Sequence, residues 1–284
     1  MRTSRRHRTV AGRYLLLDLV GAGGMGAVWR ARDLRSGDTV AVKLLARHDT
    51  DTGLLLRFVH EQSVRIRHPH VLAPTGWAAE DELVVLVMDL VRGGSVHDLL
   101  RDHGALPEPT VRVLLDQLLQ ALEAVHAAGV VHRDLKPANL LLDATGRGRP
   151  HLRLADFGVA ATAAEQRIAV GGLDLDGPIG TDGYLAPGHS ADRPDPRQDL
   201  YAAGRVGVEL LTGARASDRV PWGPLQPLLH ALTEPDPGRR TPSAAAALAH
   251  LRAIGGPASD VHPLVPDRLS ARRPRLAEWL DRRT

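Results

Sequence analysis

The sequence predicts an α+β chain of two lobes, a small antiparallel-sheet lobe with one helix followed by a larger, mainly helical lobe. Three observations carry the prediction. Between Tyr14 and Asp89 short apolar or alternating runs dominate, the pattern of strands. From Gly94 onward the apolar residues recur at helical spacing instead. The chain has 284 residues, 43% of them apolar, enough for one large domain or two lobes around a core and too apolar for a disordered or fibrous protein.

In chain order, strand-type runs fall at 14–20, 27–32, 39–45, 71–78 and 83–89, with one helical stretch at about 52–67. The change of period near 89–94 marks the boundary between lobes. The strongest helix covers 107–128, where Val111, Leu114, Leu115, Leu118, Leu119, Leu122 and Val125 form one stripe and Gly129 offers a C-cap. Further helices are expected at 198–212 and 243–253. Residues 255–284, rich in Pro and Arg, read as a linker with a short amphipathic turn around Leu276, Trp279 and Leu280. The expected organisation is a basic tail at 1–12, a domain at 13–254 split into lobes at 13–91 and 92–254, and a C-terminal tail at 255–284.

Composition excludes several function classes. Lys plus Arg total 36 against 33 Asp plus Glu, a net charge of +3, too mild for a nucleic-acid or anionic-membrane role without clustering. The absence of Cys removes disulfides, thiolate catalysis and Cys-ligated metals. A basic start up to Arg13 followed by apolar residues from Tyr14 looks like a secretory leader, but Asp18 interrupts it. No run of about 18 apolar residues follows anywhere, so a cytoplasmic location without a membrane anchor is expected. The 14 His are scattered without paired metal-ligand spacing.

Gly21, Gly23, Gly24 and Gly26 lie between Val20 and Val28 in a G-x-G-x-x-G-x-V pattern. Glycines let backbone N–H groups approach phosphate oxygens, since no Cβ intervenes. A dinucleotide fingerprint shares the spacing but opens a helix, whereas the residues after Gly26 read as a strand, which favours a loop between antiparallel strands. An ordinary Gly-rich hairpin has the same look. Lys43 ends the alternating run Val40-Ala41-Val42, where a bare ammonium is costly unless paired. Glu61 in the following helix is the candidate partner, and a solvated surface pair is the plain alternative.

After the long helix comes His132-Arg133-Asp134-Leu135-Lys136-Pro137-Ala138-Asn139, and then, past a short apolar strand at 152–154, Asp156-Phe157-Gly158. With these residues the sequence resembles the protein kinase family, and more narrowly its bacterial-type Ser/Thr branch, over roughly 13–254. The resemblance implies a two-lobed kinase fold and transfer of the γ-phosphoryl group of ATP, with Mg²⁺, to a Ser or Thr hydroxyl of a protein substrate. It implies Asp134 as the base, Lys136 and Lys43 as phosphate-contacting cations, Glu61 as the partner of Lys43, and Asn139 and Asp156 as metal ligands. Val20, the loop glycines, Val28, Ala41, Leu141, Asp89 and Val91 would surround the nucleotide, with 88–91 as the adenine-facing hinge. His132 is expected to be structural. Gly180-Thr181 and 184–187 resemble the segment that receives the substrate backbone, and 199–204 the helix that anchors the catalytic loop. An ATP-binding regulatory module and a kinase of a small-molecule hydroxyl are alternative readings.

Three departures from the family pattern stand out. Gly188 replaces the Glu expected after Ala186-Pro187, which leaves Arg240 without its usual partner, and Asp192 or Asp195 are candidate substitutes. The stretch from Gly213 to Asp236 is short, so a substrate-docking helix is expected to be reduced. Between Asp156-Phe157-Gly158 and Ala186-Pro187 the sequence has only Thr162 and Thr181 as Ser or Thr residues, which argues against activation by loop phosphorylation, although Arg133 could receive such a phosphate. Finally, 34 of the 36 basic residues are Arg, and the two Lys are Lys43 and Lys136. Random placement would put both on those motif positions about once in 630, so Lys is retained where a compact ammonium suits a phosphate.

Overall fold

The computed structural model describes residues 8–23, 26–46, 66–80, 83–156, 183–188, 195–215, 217, 219–256 and 261–270. The N-terminal lobe is a six-stranded antiparallel sheet of β1 (Thr9–Val10), β2 (Tyr14–Gly23), β3 (Gly26–Asp33), β4 (Thr39–Ala46), β5 (Gly76–Glu80) and β6 (Leu83–Asp89), in the order β1-β2-β3-β4-β6-β5. Strand alternation sorts its residues onto two faces. Trp29, Ala31, Val42, Leu44, Val85 and Val87 join Tyr14 and Leu16 in a closed core on one face. The cross-strand partners Val28, Lys43 and Leu86, with Ala41 and Met88 one step along, share the other face. The expected helix at 52–67 lies outside the described residues except for Ile66 and Arg67, which are in an irregular stretch.

The expected strand at 71–78 starts later. Residues 70–72 are diverted to the other lobe, where the Leu154 N–H donates to the His70 carbonyl and the Leu72 N–H to the Leu154 carbonyl, both at 2.8 Å. Backbone groups committed there cannot also continue β5 beside β6.

The second lobe contains α1 (Val96–His103), α2 (Glu108–Ala127), a 3-10 turn (Pro137–Asn139), the hairpin β7 (Leu140–Leu142) and β8 (Leu152–Leu154), α3 (Pro196–Thr212), α4 (Gln226–Leu232) and α5 (Ala244–Ile254). The apolar stripe of α2 is fully buried against α3, α5 and the β7–β8 hairpin. Helix α2 is capped at Ala128, one residue before the expected Gly129. Two helices escape the periodicity reading because they are short. Helix α1 has eight residues and starts with a Ser95–Asp98 capping box, and α4 has seven. Buried Gln117 of α2 donates from Nε2 to the Pro150 carbonyl and accepts the Leu152 N–H, at 2.8 and 2.7 Å. This amide sets the height of β8, and so of the residues that follow it. Among the described residues, α4 is the helix between Gly213 and Asp236.

Residues 261–270, read from composition as part of a linker, are packed instead, with Val265 and Leu269 at 1% and 3% exposure. The amphipathic turn at 276–280 lies outside the described residues.

Arg240 is 4% exposed and finds partners other than a carboxylate. Its guanidinium donates to the carbonyls of Glu234, Arg197 and Pro235 at 2.8, 2.9 and 2.9 Å and lies 5.1 Å from the Tyr201 ring centroid. Asp195, a candidate substitute, pairs with Arg197 at 2.7 Å, and Asp192 is outside the described residues. Gly188 adopts φ +70, the left-handed region in which a β-carbon is strained. We expect Arg240→Ala to lower the unfolding free energy by about 2–4 kcal/mol in urea titrations, because the three carbonyls lose their donor. Arg240→Lys should recover less than half of this, since one ammonium cannot reproduce the planar fork.

Candidate active site

The site lies where the open face of the sheet meets the loop after α2. The Lys43 ammonium crosses between the lobes and donates to the Asp156 carboxylate. Lys43 is 9% exposed, so the pair satisfies a charge that burial would otherwise penalise. Glu61, the partner expected from the sequence, lies outside the described residues, and the contact with Asp156 was not expected.

Asp134, Lys136 and Asn139 come together through local backbone geometry, and Asp156 is brought beside them by the strand that precedes it. The Asn139 amide donates to the Asp134 carbonyl at 2.7 Å and to its carboxylate at 3.1 Å. The Lys136 ammonium meets the same carboxylate oxygen at 2.7 Å. The Ala155 N–H donates to the Asn139 carbonyl at 2.9 Å, which brings the residue before Asp156 beside the 3-10 turn. Arg133 and Asp156 both adopt φ +66, a strained conformation for residues with a β-carbon. The strain is held by the surrounding bonds.

Asp199, at the start of α3, supplies much of that hold. Its carboxylate is 1% exposed and accepts the backbone N–H groups of His132 (2.8 Å) and Arg133 (2.9 Å) and the His126 Nε2–H (2.8 Å). Burial alone would raise its pKa; the hydrogen bond from His126, the neighbouring histidines and the His132 N–H outweigh that and leave the pKa below the usual carboxylate range. His132 is fully buried and donates from Nε2 to the Ala155 carbonyl at 2.9 Å, in keeping with a structural role.

Around the cleft, Val20, Gly21, Gly23 and Gly26 lie in the β2–β3 hairpin, where Gly21 pairs with Val28 and Gly23 with Gly26. Gly24 is outside the described residues. Ala41 is buried on β4. Leu141 is on β7 opposite Arg153. Asp89 ends β6, and its exposed carboxylate pairs with Arg153 at 3.0 Å. Val91 follows in the connection to α1.

The segment 183–188 stands over this loop. The Tyr184 hydroxyl donates to Glu209, and Arg205 Nε donates to the Gly183 carbonyl at 3.1 Å. Burial, reinforced by Glu209, pushes the Tyr184 phenol well above its usual range. Tyr184, Leu185 and Ala186 line a small pocket together with Asp134, Gln198 and Ala202. Thr162 and Thr181 lie outside the described residues. The positioning partners His126, Glu209 and Arg205 were not found from sequence. Each meets its partner only through packing, with no spacing signal to mark it.

The donor set suits a hard divalent cation. Asn139 and Asp156 offer amide and carboxylate oxygens, and among the described residues no three His, Asp or Glu side chains form a protein-only metal cage.

We expect Asp199→Asn to destabilise the chain by about 3–5 kcal/mol, since an amide NH₂ would face backbone donors in a buried site. The sign with pH follows from the depressed carboxylate. Its contribution is present above the unfolded carboxylate value of about 3.9 and is lost as pH falls toward the lower folded value. Thermal unfolding between pH 6 and pH 3 should therefore show a shallower acid limb in the variant.

The family model for the protein kinase domain matches residues 14–220. The chain is 39% identical over 231 residues to the serine/threonine-protein kinase PkaA of Streptomyces coelicolor, covering 76% of this chain and 41% of the relative. It is 36% identical over 219 residues to the serine/threonine-protein kinase PknA of Mycobacterium tuberculosis, covering 73% and 48%. Against PknL of the same organism, also a serine/threonine-protein kinase, it is 36% identical over 205 residues, covering 71% and 49%. The chain thus spans less than half the length of these relatives. With a matched domain covering most of the sequence and relatives 36–39% identical over more than two thirds of it, the chain belongs to the protein kinase family, on its bacterial serine/threonine side.

Proposed function

We propose that this chain is a serine/threonine protein kinase that transfers the γ-phosphoryl group of Mg-ATP to a Ser or Thr hydroxyl of a protein. The observation that carries the reading is the meeting of Lys43 with Asp156 and of Lys136 and Asn139 with Asp134 in one cleft. Phosphoryl transfer depends mainly on positioning and charge neutralisation, and these residues supply both. Asp134 accepts the proton of the attacking hydroxyl. Lys136 holds that carboxylate in place and faces the transferred group, and Lys43 draws the nucleotide phosphates toward Asp156, with Glu61 as its further partner. Asn139 and Asp156 would hold Mg²⁺, which when bound would neutralise charge on the phosphate oxygens. The hairpin from Val20 to Val28 covers the phosphates, while Ala41, Leu141 and the 88–91 connection seat the adenine.

The domain we assign spans 13–254, with 13–91 and 92–254 as its lobes, the packed 261–270 segment attached, and β1 (Thr9–Val10) added to its sheet from the stretch expected to be a tail. Among the described residues no helix is long and apolar enough to cross a membrane; the chain itself is read as cytoplasmic, and its substrate as a protein with a Ser or Thr acceptor. The relatives' names, all serine/threonine-protein kinases, support the acceptor class.

The test is transfer from γ-labelled ATP to the chain itself and to a generic basic protein. Asp134→Asn and Lys43→Met should each reduce transfer at least about 100-fold, the scale of a lost general base or preorganised cation. Equal silence of wild type and Asp134→Asn, with Mg-ATP still raising the melting temperature, would overturn the catalytic reading in favour of a binding module. Separately, chelation with EDTA should abolish turnover and restored Mg²⁺ should recover it. Turnover that survives chelation removes Asn139 and Asp156 from their assigned roles.

A further inference from the structure

Residues 261–270 cross the molecule from one lobe to the other. His262 is buried against Thr110 at the start of α2 (3.2 Å), and the Leu264 carbonyl accepts from His103 Nε2 at the end of α1 (3.2 Å). Val265 exchanges both backbone hydrogen bonds with Gly146 in the β7–β8 loop, at 2.8 and 3.0 Å. The segment then runs along the connection between the lobes. The Arg268 N–H donates to the Arg92 carbonyl (2.9 Å), its Nε donates to the Gly93 carbonyl (3.0 Å), and its Nη2 meets the Asp102 carboxylate. Asp267 pairs with Arg92 at 2.7 Å. On the sheet lobe, the carbonyl of buried Leu269 accepts from Arg30 of β3 at 3.3 Å, and Arg30 is itself held by buried Asp18 of β2 at 2.6 Å.

The connection is shaped to receive this segment. A β-carbon on Gly93 would stand 2.7 Å from Val265 Cγ1 and 2.5 Å from the Leu142 carbonyl. On Gly94, already at φ +84, it would stand 2.6 Å from Arg268 Cδ. Two successive residues without side chains make the seat. The length of the segment matters as well. Four residues separate the Val265 anchor on the helical lobe from the Leu269 anchor on the sheet lobe, a reach of about 14 Å when fully extended. Opening the cleft beyond that reach must break one of the anchors.

We propose that residues 261–270 are an intramolecular strap that fixes the connection between the lobes, and that Arg268 is a positioning residue for the nucleotide seat at 88–91. This rests on the reading of 88–91 as the adenine hinge. By binding the carbonyls of Arg92 and Gly93 from outside the cleft, Arg268 immobilises the peptide units that follow Val91. The strap therefore acts on nucleotide affinity and leaves the Asp134 cluster untouched.

The experiment uses the full chain and compares Arg268→Ala, the single reversals Arg92→Asp and Asp267→Arg, and their double reversal. Arg252→Ala, which breaks the exposed pair with Asp116, is the control. Without nucleotide, amide hydrogen exchange at Gly93 and Val265 should quicken at least about tenfold in Arg268→Ala, with the amides of α2 unchanged. In the phosphotransfer assay KM for ATP should rise about 5- to 10-fold with kcat within about twofold, the split expected of lost nucleotide positioning. Each single reversal should raise KM and the double reversal restore it, which a merely structural role would not produce, and this arm decides the matter if Arg268→Ala does not fold. Exchange equal to the Arg252→Ala control overturns the strap, and faster exchange with unchanged KM overturns the positioning role. A wild-type chain that neither binds nor turns over Mg-ATP defeats the functional reading instead, and the strap is then judged on exchange alone.

Discussion

The buried carboxylate of Asp199 is the constraint on which the site depends. It gathers the N–H groups of His132 and Arg133 and the ring of His126, so one side chain joins α3, α2 and the loop that carries Asp134. A loop alone could not hold Arg133 at positive φ, because nothing local offsets the strain. With both N–H groups satisfied by an ionised acceptor, the strained turn becomes the stable one. The placing of Asp134, Lys136 and Asn139 then follows from the five peptide units that join them and the 3-10 turn at Pro137–Asn139.

From that loop the cleft is completed by two contrasting surfaces. The sheet offers an apolar face interrupted by Lys43, whose ammonium meets Asp156 across the lobes. The β7–β8 hairpin presents Asp156 at the right level because Gln117 fixes its backbone from beneath. Both lysines of the chain take part in carboxylate contacts within this cleft. Where charge alone suffices the chain uses Arg, as in the pairs Arg13–Asp33 and Arg30–Asp18.

The departures from the family pattern show how a missing partner is accommodated. Gly188 removes a carboxylate, yet Arg240 remains buried, because three carbonyls and the face of Tyr201 satisfy its fork. Carbonyl acceptors carry no side-chain signal, so no reading of residue types could have named them. The segment 183–188 is tied elsewhere, by Tyr184 to Glu209 and by Arg205 to Gly183. Likewise the Pro- and Arg-rich composition after 255 suggested a linker, while Val265, Arg268 and Leu269 make that stretch part of the domain.

Periodicity by itself determined the two-lobed α+β plan, the strands β2, β3, β4 and β6 and the long helix α2, and the resemblance of the short motifs to the protein kinase family pointed to Asp134, Lys136, Asn139 and Asp156. These are local properties, legible because strand and helix periods and short catalytic motifs are written along the chain. Tertiary structure decided what joins distant segments: the diversion of residues 70–72 to β8, Asp199 under the catalytic loop, the carbonyl cage of Arg240, and the strap over Gly93 and Gly94. The physical reason is common to all four. Each is a hydrogen bond or close approach to backbone, and backbone groups are the same at every position until folding brings one particular carbonyl or N–H within reach.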